Sequence, residues 1–264
     1  MLRGPITLTT DFGTTDHYVG TMKGVILGIS PRARIVDITH AIAPQDVNDA
    51  AFVIAQAWRS FPKGSIHVVI VDPGVGSARR AILCEAEGQF FIAPDNGVLS
   101  MIYDSSRHKV RMISNEKLFL KNISKTFHGR DVFAPAAAHL AKGTAPAKFG
   151  KPIHDSVRSF LMKPTRLSRH DWSGGVLKTD HFGNLITNFH IDEFPDVTKH
   201  PIELRAGLER ITRLASTYSE TMVGELFAII GSSGYIEVVV NQGSAAKTLG
   251  IGPGSPIELE IFYD

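Results

Sequence analysis

Three short stretches of the sequence place acids, arginines and a histidine where turns interrupt apolar runs. "VDPGVGSARR", residues 71–80, follows the run "SIHVVI" and carries Asp72, Arg79 and Arg80 around two glycines. A glycine-rich turn at a strand's end raises the question of phosphate binding. The stretch has no Gly-Lys-Ser/Thr ending and no third glycine after Gly74 and Gly76, so it matches neither a Walker loop nor a dinucleotide fingerprint. Its arginines precede a strand-like run rather than a helix, which leaves no helix N-terminus to hold a phosphate. Asp72 and Arg79 are expected to face each other across the turn, either as a structural ion pair or as part of a charged site. "TTDFGTTDHYVG" sets Asp11 at the end of the first strand pattern, where a carboxylate can accept both hydroxyls of a ribose. Asp16, at the following helix start, reads as a cap. "KTFHGRDVFAP" puts His128 between Phe127 and Gly129 just before a helix, a place that suits a general base, a water-orienting group or a plain surface histidine.

The second half offers "DHFGNLITN", with Asp180, Phe182 and Asn184, and "GSSGYIEVVVNQG", with Ser232, Ser233 and Asn241. Glycine-flanked serines expose backbone N–H groups that can hold a carboxylate. The Asn241 amide both donates and accepts, as pairing with an adenine edge requires, and Tyr218 in "STYSE" offers a stacking face. Each of these residues, taken singly, also fits ordinary turn chemistry. No H-E-x-x-H or comparable ligand spacing occurs, so no metal is expected at Asp11, Asp16 and His17 or elsewhere.

These residues need elements to position them. "ITLTTDF", "RIVDIT" and "SIHVVIV" read as strands separated by helical patterns over 16–29 and 46–61, and "AILCEAE" with "QFFIAP" reads as a hairpin through Gly88. "NGVLSMIY" and "RDVFAPAAAHLAKG" read as further helices, the second stopped by Gly143. The alternation predicts an α/β N-terminal domain over 1–160 with a largely parallel, Rossmann-like sheet. The segment 143–172, broken by Pro146, Pro152 and Pro164, reads as a connection. Short β-rich runs split by Gly, Asn and Ser then predict a smaller antiparallel, β-barrel-like domain over 171–264.

Composition bounds the partners. The chain has 264 residues with a net charge of +2, and no run of like charges marks a nucleic-acid surface. The single cysteine, Cys84, can form no internal disulfide and suits a reducing cytoplasm. The first strand pattern begins so near the N-terminus that no leader is expected, and no apolar run reaches the length of a membrane span. A soluble, cytoplasmic protein is the expectation.

Together, "TTDFGTTDHYVG", "VDPGVGSARR", "APDNGVL", "FHGRDVFAP", "DHFGNLITN" and "GSSGYIEVVVNQGSA" resemble, in order, the motifs of the S-adenosyl-L-methionine (SAM) hydroxide adenosyltransferases, relatives of fluorinases and chlorinases. The resemblance spans about residues 6 to 260. It implies a homotrimer that binds ligand at subunit interfaces and converts SAM and water to adenosine and methionine, with SAM as substrate and without cofactor or metal. By position it implies that Asp72, Arg79 and His128 handle the water and that Asp11 binds the ribose. It further assigns Phe127 to the substrate-binding set, Asn184 and Asn241 to nucleoside contacts, Phe182 and Tyr218 to the flanks of adenine, and Asp180 and Ser232 to the methionine ammonium and carboxylate. The acid and the aromatic of "DHFGN" stand one residue closer than in the halogenating relatives, and Ser233 replaces their arginine. Fluorinases carry tyrosine, tyrosine and serine where this chain has Asp72, His128 and Gly129, and an additional N-terminal loop for which it has no room. An aspartate suits water better than a bare halide, which it would repel. A halogenase and a nucleoside-binding protein without turnover are the alternative readings.

Overall fold

The computed structural model describes residues 4–159 and 163–263, which divide into two compact units, Met1–Ser159 and Phe160–Asp264. The first unit is built on seven strands: β1 (Ile6–Thr10), β2 (Ile35–Thr39), β3 (Ile66–Ile70), β4 (Ala81–Ala86), β5 (Gln89–Pro94), β6 (His108–Met112) and β7 (Pro152–Ile153). Their order is β2-β1-β3-β5-β4-β6-β7. β1 pairs in parallel with β2 and β3, and β3 with β5, whereas β4, β6 and β7 join antiparallel. The sheet is therefore mixed rather than largely parallel. The cause is local: β4 turns into β5 through Glu87 and Gly88, both at positive φ (48° and 81°), and a two-residue turn of this hand joins only antiparallel neighbours.

β1 and β3 are buried along their whole length, as strands covered on both faces must be. One face packs Leu8, Val68 and Ile70 against Met22 and Ile26 of helix α1 (Tyr18–Ile29) and Leu140 of α4 (Ala134–Ala141). The other packs Val69, Cys84 and Phe91 against Ile54 of α2 (Val47–Ala57) and Ile102 of α3 (Ser100–Ser105). Burial pushes the Cys84 thiol up to about 12, so it behaves as a small hydrophobe. Asp46 caps α2 by accepting the Asp49 amide at 2.9 Å. Asp16 does not cap α1: His17 holds that position, without a side-chain bond.

The second unit contains β8 (Thr165–Arg166), β9 (Asp171–Thr179), β10 (Leu185–His190), β11 (Ile202–Ala206), β12 (Glu209–Ile211), β13 (Leu214–Ala215), β14 (Leu226–Ile230), β15 (Tyr235–Val240) and β16 (Pro256–Ile261), with one short helix, α5 (Ala245–Leu249). The path β12-β11-β16-β9-β10-β15-β14-β13 is antiparallel except at its last pair, and β8 pairs with β9 off that path. β12 and β14 approach each other, so the sheet curls into a partial barrel around Leu185, Ile236, Val238 and Leu259. The segment expected as a plain connection contributes edge strands at both ends, β7 and β8; its residues 160–162 lie outside the described residues.

Candidate active site

The carboxyl ends of β1 and β3 lie side by side, and ligands of parallel sheets bind outside such ends. There the first unit holds a cavity of about 380 Å³ whose wall includes Asp11, Asp72 and His128 and the rings of Phe12, Tyr18 and Phe127. Each arrives from a different element. Asp11 follows β1 directly and Asp72 stands just beyond β3. His128 immediately precedes a π-helical turn, Gly129–Phe133, that leads into α4. Such turns are frequent at functional sites.

Gly76 explains why the two loops meet. Its φ is 78°, and a Cβ there would overlap the Lys125 carbonyl, so only glycine lets the 71–80 turn press against the loop that carries His128. Arg79 is thereby placed between the other two. Its Nε donates to both Asp72 oxygens at 2.9 Å, and its Nη2 donates to Asp72 Oδ2 and, at 2.8 Å, to His128 Nδ1. The pair is well buried, with the Arg79 and Asp72 side chains 11% and 5% exposed. Arginine has no acceptor atom, so His128 Nδ1 must accept, and the neutral ring then carries its proton on Nε2. Burial, and next the Arg79 charge, hold the His128 pKa below its usual value. The ring is thus a neutral donor through Nε2.

The remaining side chains complete the wall. Asp11 Oδ2 accepts the Gln45 amide at 2.8 Å, which fixes the carboxylate. Phe12, Tyr18 and Phe127 form an aromatic cluster with centroids 5.1 to 6.1 Å apart. Phe12 and Tyr18 were not singled out from sequence; their place beside Asp11 in the first motif is the signal that could have found them. Asp131, fully buried, accepts the Ser124 amide at 2.8 Å and ties down the loop before His128.

In the second unit, the turn joining β9 to β10 carries Asp180, Phe182 and Asn184, and Asn184 links it to Tyr218, which Asn241 holds in turn. Asn184 Nδ2 donates to the Tyr218 hydroxyl at 3.3 Å. Asn241 Nδ2 donates to the carbonyls of Tyr218 and Thr221 at 3.1 and 2.8 Å, so both its donor hydrogens hold that loop and only its Oδ1 remains for a nucleobase. Phe182 and Tyr218 are 74% and 40% exposed, which leaves two aromatic faces open. Ser232 is exposed in the turn between β14 and β15 and makes no side-chain hydrogen bond with the others. Among the described residues no group of three His, Cys, Asp or Glu side chains could hold a metal, and no helix is long and apolar enough to cross a membrane.

Comparison with known proteins places this geometry. The profile of the SAM hydroxide adenosyltransferase N-terminal domain matches residues 6–150, and that of the C-terminal domain matches residues 174–258. The (R)-S-adenosyl-L-methionine hydrolase of Salinispora tropica is 36% identical over 96% of this chain and 97% of its own, and that of Thermus thermophilus is 36% identical over 97% and 99%. A fluorinase of an Actinoplanes species is 29% identical over 94% of this chain and 95% of its own. Among solved structures, an uncharacterized conserved protein from Thermotoga maritima superposes with a TM-score of 0.89 at 36% identity, over 96% of this chain and 99% of that one. The chain belongs to the SAM hydroxide adenosyltransferase family.

Proposed function

We propose that this protein hydrolyses S-adenosyl-L-methionine to adenosine and L-methionine, with water displacing the thioether at the ribose 5′ carbon. The observation that carries the reading is the Asp72–Arg79–His128 chain of hydrogen bonds, whose two ends, Asp72 and His128, line a cavity at the carboxyl ends of β1 and β3. The relatives named above as hydrolases act, by name, on the (R) form, and we extend that sulfonium configuration to this chain.

The reaction needs a positioned nucleophile and little else. The sulfonium leaves as a neutral thioether, so no acid is required on that side. Free hydroxide from water of pKa ~15.7 would cost roughly 12 kcal/mol at pH 7, so water attacks while still giving up its proton. With its proton on Nε2, His128 cannot take that proton and instead donates to one lone pair of the water. Asp72 is then the acceptor, and the second lone pair points at carbon. Arg79 fixes both partners. Partial proton transfer contributes about 10²- to 10⁴-fold. Alignment of water with the carbon contributes more, on the order of 7–11 kcal/mol. In this reading Asp11 binds the ribose hydroxyls, Phe127 lines the nucleoside's place, Asn184, Asn241, Phe182 and Tyr218 contact the base, and Ser232 meets the methionine carboxylate. No metal or further cofactor takes part. The working form is a cytoplasmic homotrimer with ligand held at subunit interfaces.

A halogenase would require a halide beside the Asp72 carboxylate, which repels it. The direct test is chromatography of chelator-treated protein incubated with each SAM epimer, with His128→Ala as control. Equimolar adenosine and methionine, lost in the control, are expected. Binding without release would leave a nucleoside-binding protein, and a 5′-haloadenosine product in halide buffer would favour the halogenase.

A further inference from the structure

The motif "APDNGVL" contributes nothing to the cavity wall, and neither does Arg80, the second arginine of "VDPGVGSARR". The topology joins the two. In the first sheet β5 lies between β3 and β4, parallel to the one and antiparallel to the other. The turn 71–80 leaves β3 and enters β4, so it arches over the carboxyl end of β5. Asp95 and Asn96, which follow β5 directly, stand beneath that arch.

Each holds one foot of it. Asn96 Nδ2 donates to the Val71 carbonyl at 2.8 Å, one residue before Asp72. Asn96 Oδ1 accepts the Val98 amide at 3.2 Å, which fixes the way the side chain faces. At the other foot, one residue after Arg79, the Asp95 amide donates to the Arg80 carbonyl at 2.9 Å and Asp95 Oδ2 accepts Arg80 Nε at 2.8 Å. With 1% of its side chain exposed, Asp95 is held by these partners rather than by solvent. Its Oδ1 accepts the Val157 amide at 2.9 Å, and Arg80 Nη1 reaches Asp155 at 2.8 Å. Gly97, at a φ of 94°, lets that segment lie so close, because a Cβ there would overlap Ser159. Adjacent arginines thus serve two ends: Arg79 reaches Asp72 and His128, and Arg80 reaches Asp95 and Asp155. From Pro73 to Ala78 no residue of the arch is buried, so its feet, with the Gly76 contact, must set its shape.

We propose that Asp95 and Asn96 are positioning residues for the hydrolysis, fixing both feet of the arch so that Asp72 and Arg79 meet the water in line with the carbon; the assignment rests on the hydrolase reading above. They act through the chain at Val71 and Arg80. A misplacement of about 1 Å at a reacting group costs on the order of 100-fold in rate, so such a clamp governs turnover more than binding.

Steady-state kinetics with SAM, alongside the adenosine Kd, test this. Asn96→Asp sets an acceptor against the Val71 carbonyl at nearly unchanged shape, and Asp95→Asn removes the charge that holds Arg80. Each is expected to lower kcat about 10- to 100-fold while KM and the adenosine Kd stay within about three-fold. Arg80→Lys, which keeps the charge without the fork, is the milder probe of the same foot and should lose about 3- to 10-fold. Combined with Asp72→Asn, each variant should cost little beyond Asp72→Asn alone, since nothing remains to position. An Arg79 drawn away from His128 also relieves the imidazole of a neighbouring charge, so the acid limb of the pH profile should move up towards the usual histidine value. Unchanged kcat in all three variants, a loss confined to KM, or a loss that adds in full to that of Asp72→Asn overturns the assignment while leaving the hydrolase reading intact. A wild-type protein inactive on both SAM epimers refutes that reading and takes the assignment with it.

Discussion

Arg79 has no acceptor atom, and that chemical fact divides the labour between its neighbours. Because it donates to His128 Nδ1, the proposed reaction leaves the imidazole unable to act as base and gives the proton to Asp72. Asp72→Asn is therefore expected to lower kcat at least about 100-fold with KM within roughly three-fold, since the interaction matters only as the water reacts. A large KM increase with normal kcat would contradict that role. His128→Gln, which keeps an N–H donor, should lose less activity than His128→Ala. The pH profile carries a second signature. Protonation of His128 would set an Nδ1–H against Arg79, so activity should fall on an acid limb below the usual histidine value, where the depressed pKa lies. In His128→Gln that limb should vanish, and its persistence would assign it to another group.

The elements matter because they bring these residues within reach, and Gly76 is where one loop meets another. Gly76→Ala adds a methyl where the Lys125 carbonyl stands, at a φ that L residues rarely adopt. A loss of about 1–3 kcal/mol in urea unfolding is expected, together with a drop in kcat as Arg79 and His128 separate. Retained activity at reduced stability would show that the contact serves folding alone. The motif loops were legible in the sequence because glycines and acids interrupt clear apolar runs. The runs themselves gave β1, β3, β5, β14 and β15, since strands buried in a sheet are rich in apolar and β-branched residues. Less was legible at the edges. β6 reads "HKVRM", half-exposed, and β11 reads "IELRA", buried but interrupted by two charged residues, and strands with so broken an apolar pattern look like loops. The mixed character of the first sheet followed from the Glu87–Gly88 turn, whose hairpin was recognised without drawing its consequence for strand direction.

At the scale of the whole molecule, each unit has its own apolar core, and the first also buries a polar network. Thr7 Oγ1 and Gln89 Oε1 bracket His67 at 2.8 and 2.7 Å in the interior, and burial pulls the His67 pKa down to about 4. The folded ring is neutral where the unfolded ring, with an ordinary pKa of 6.5, is already charged. Stability is thus fully present above that unfolded value and is lost as pH falls from there towards 4. This one group should account for about 2 kcal/mol of lost unfolding free energy between pH 7 and 5. Urea titrations of wild type and His67→Gln at the two pH values check it, and an equal acid loss in both would assign the effect elsewhere. The proposed homotrimer has its test at this scale: sedimentation should give the mass of three chains, and a stable, active monomer would contradict it. The most direct test of the central claim is the fate of the solvent oxygen. Turnover of SAM in H₂¹⁸O, with adenosine and methionine analysed by mass spectrometry, should place one ¹⁸O on the 5′ carbon of adenosine and none in methionine. Adenosine without label, or release without label in either product, would mean that water is not the nucleophile at that carbon.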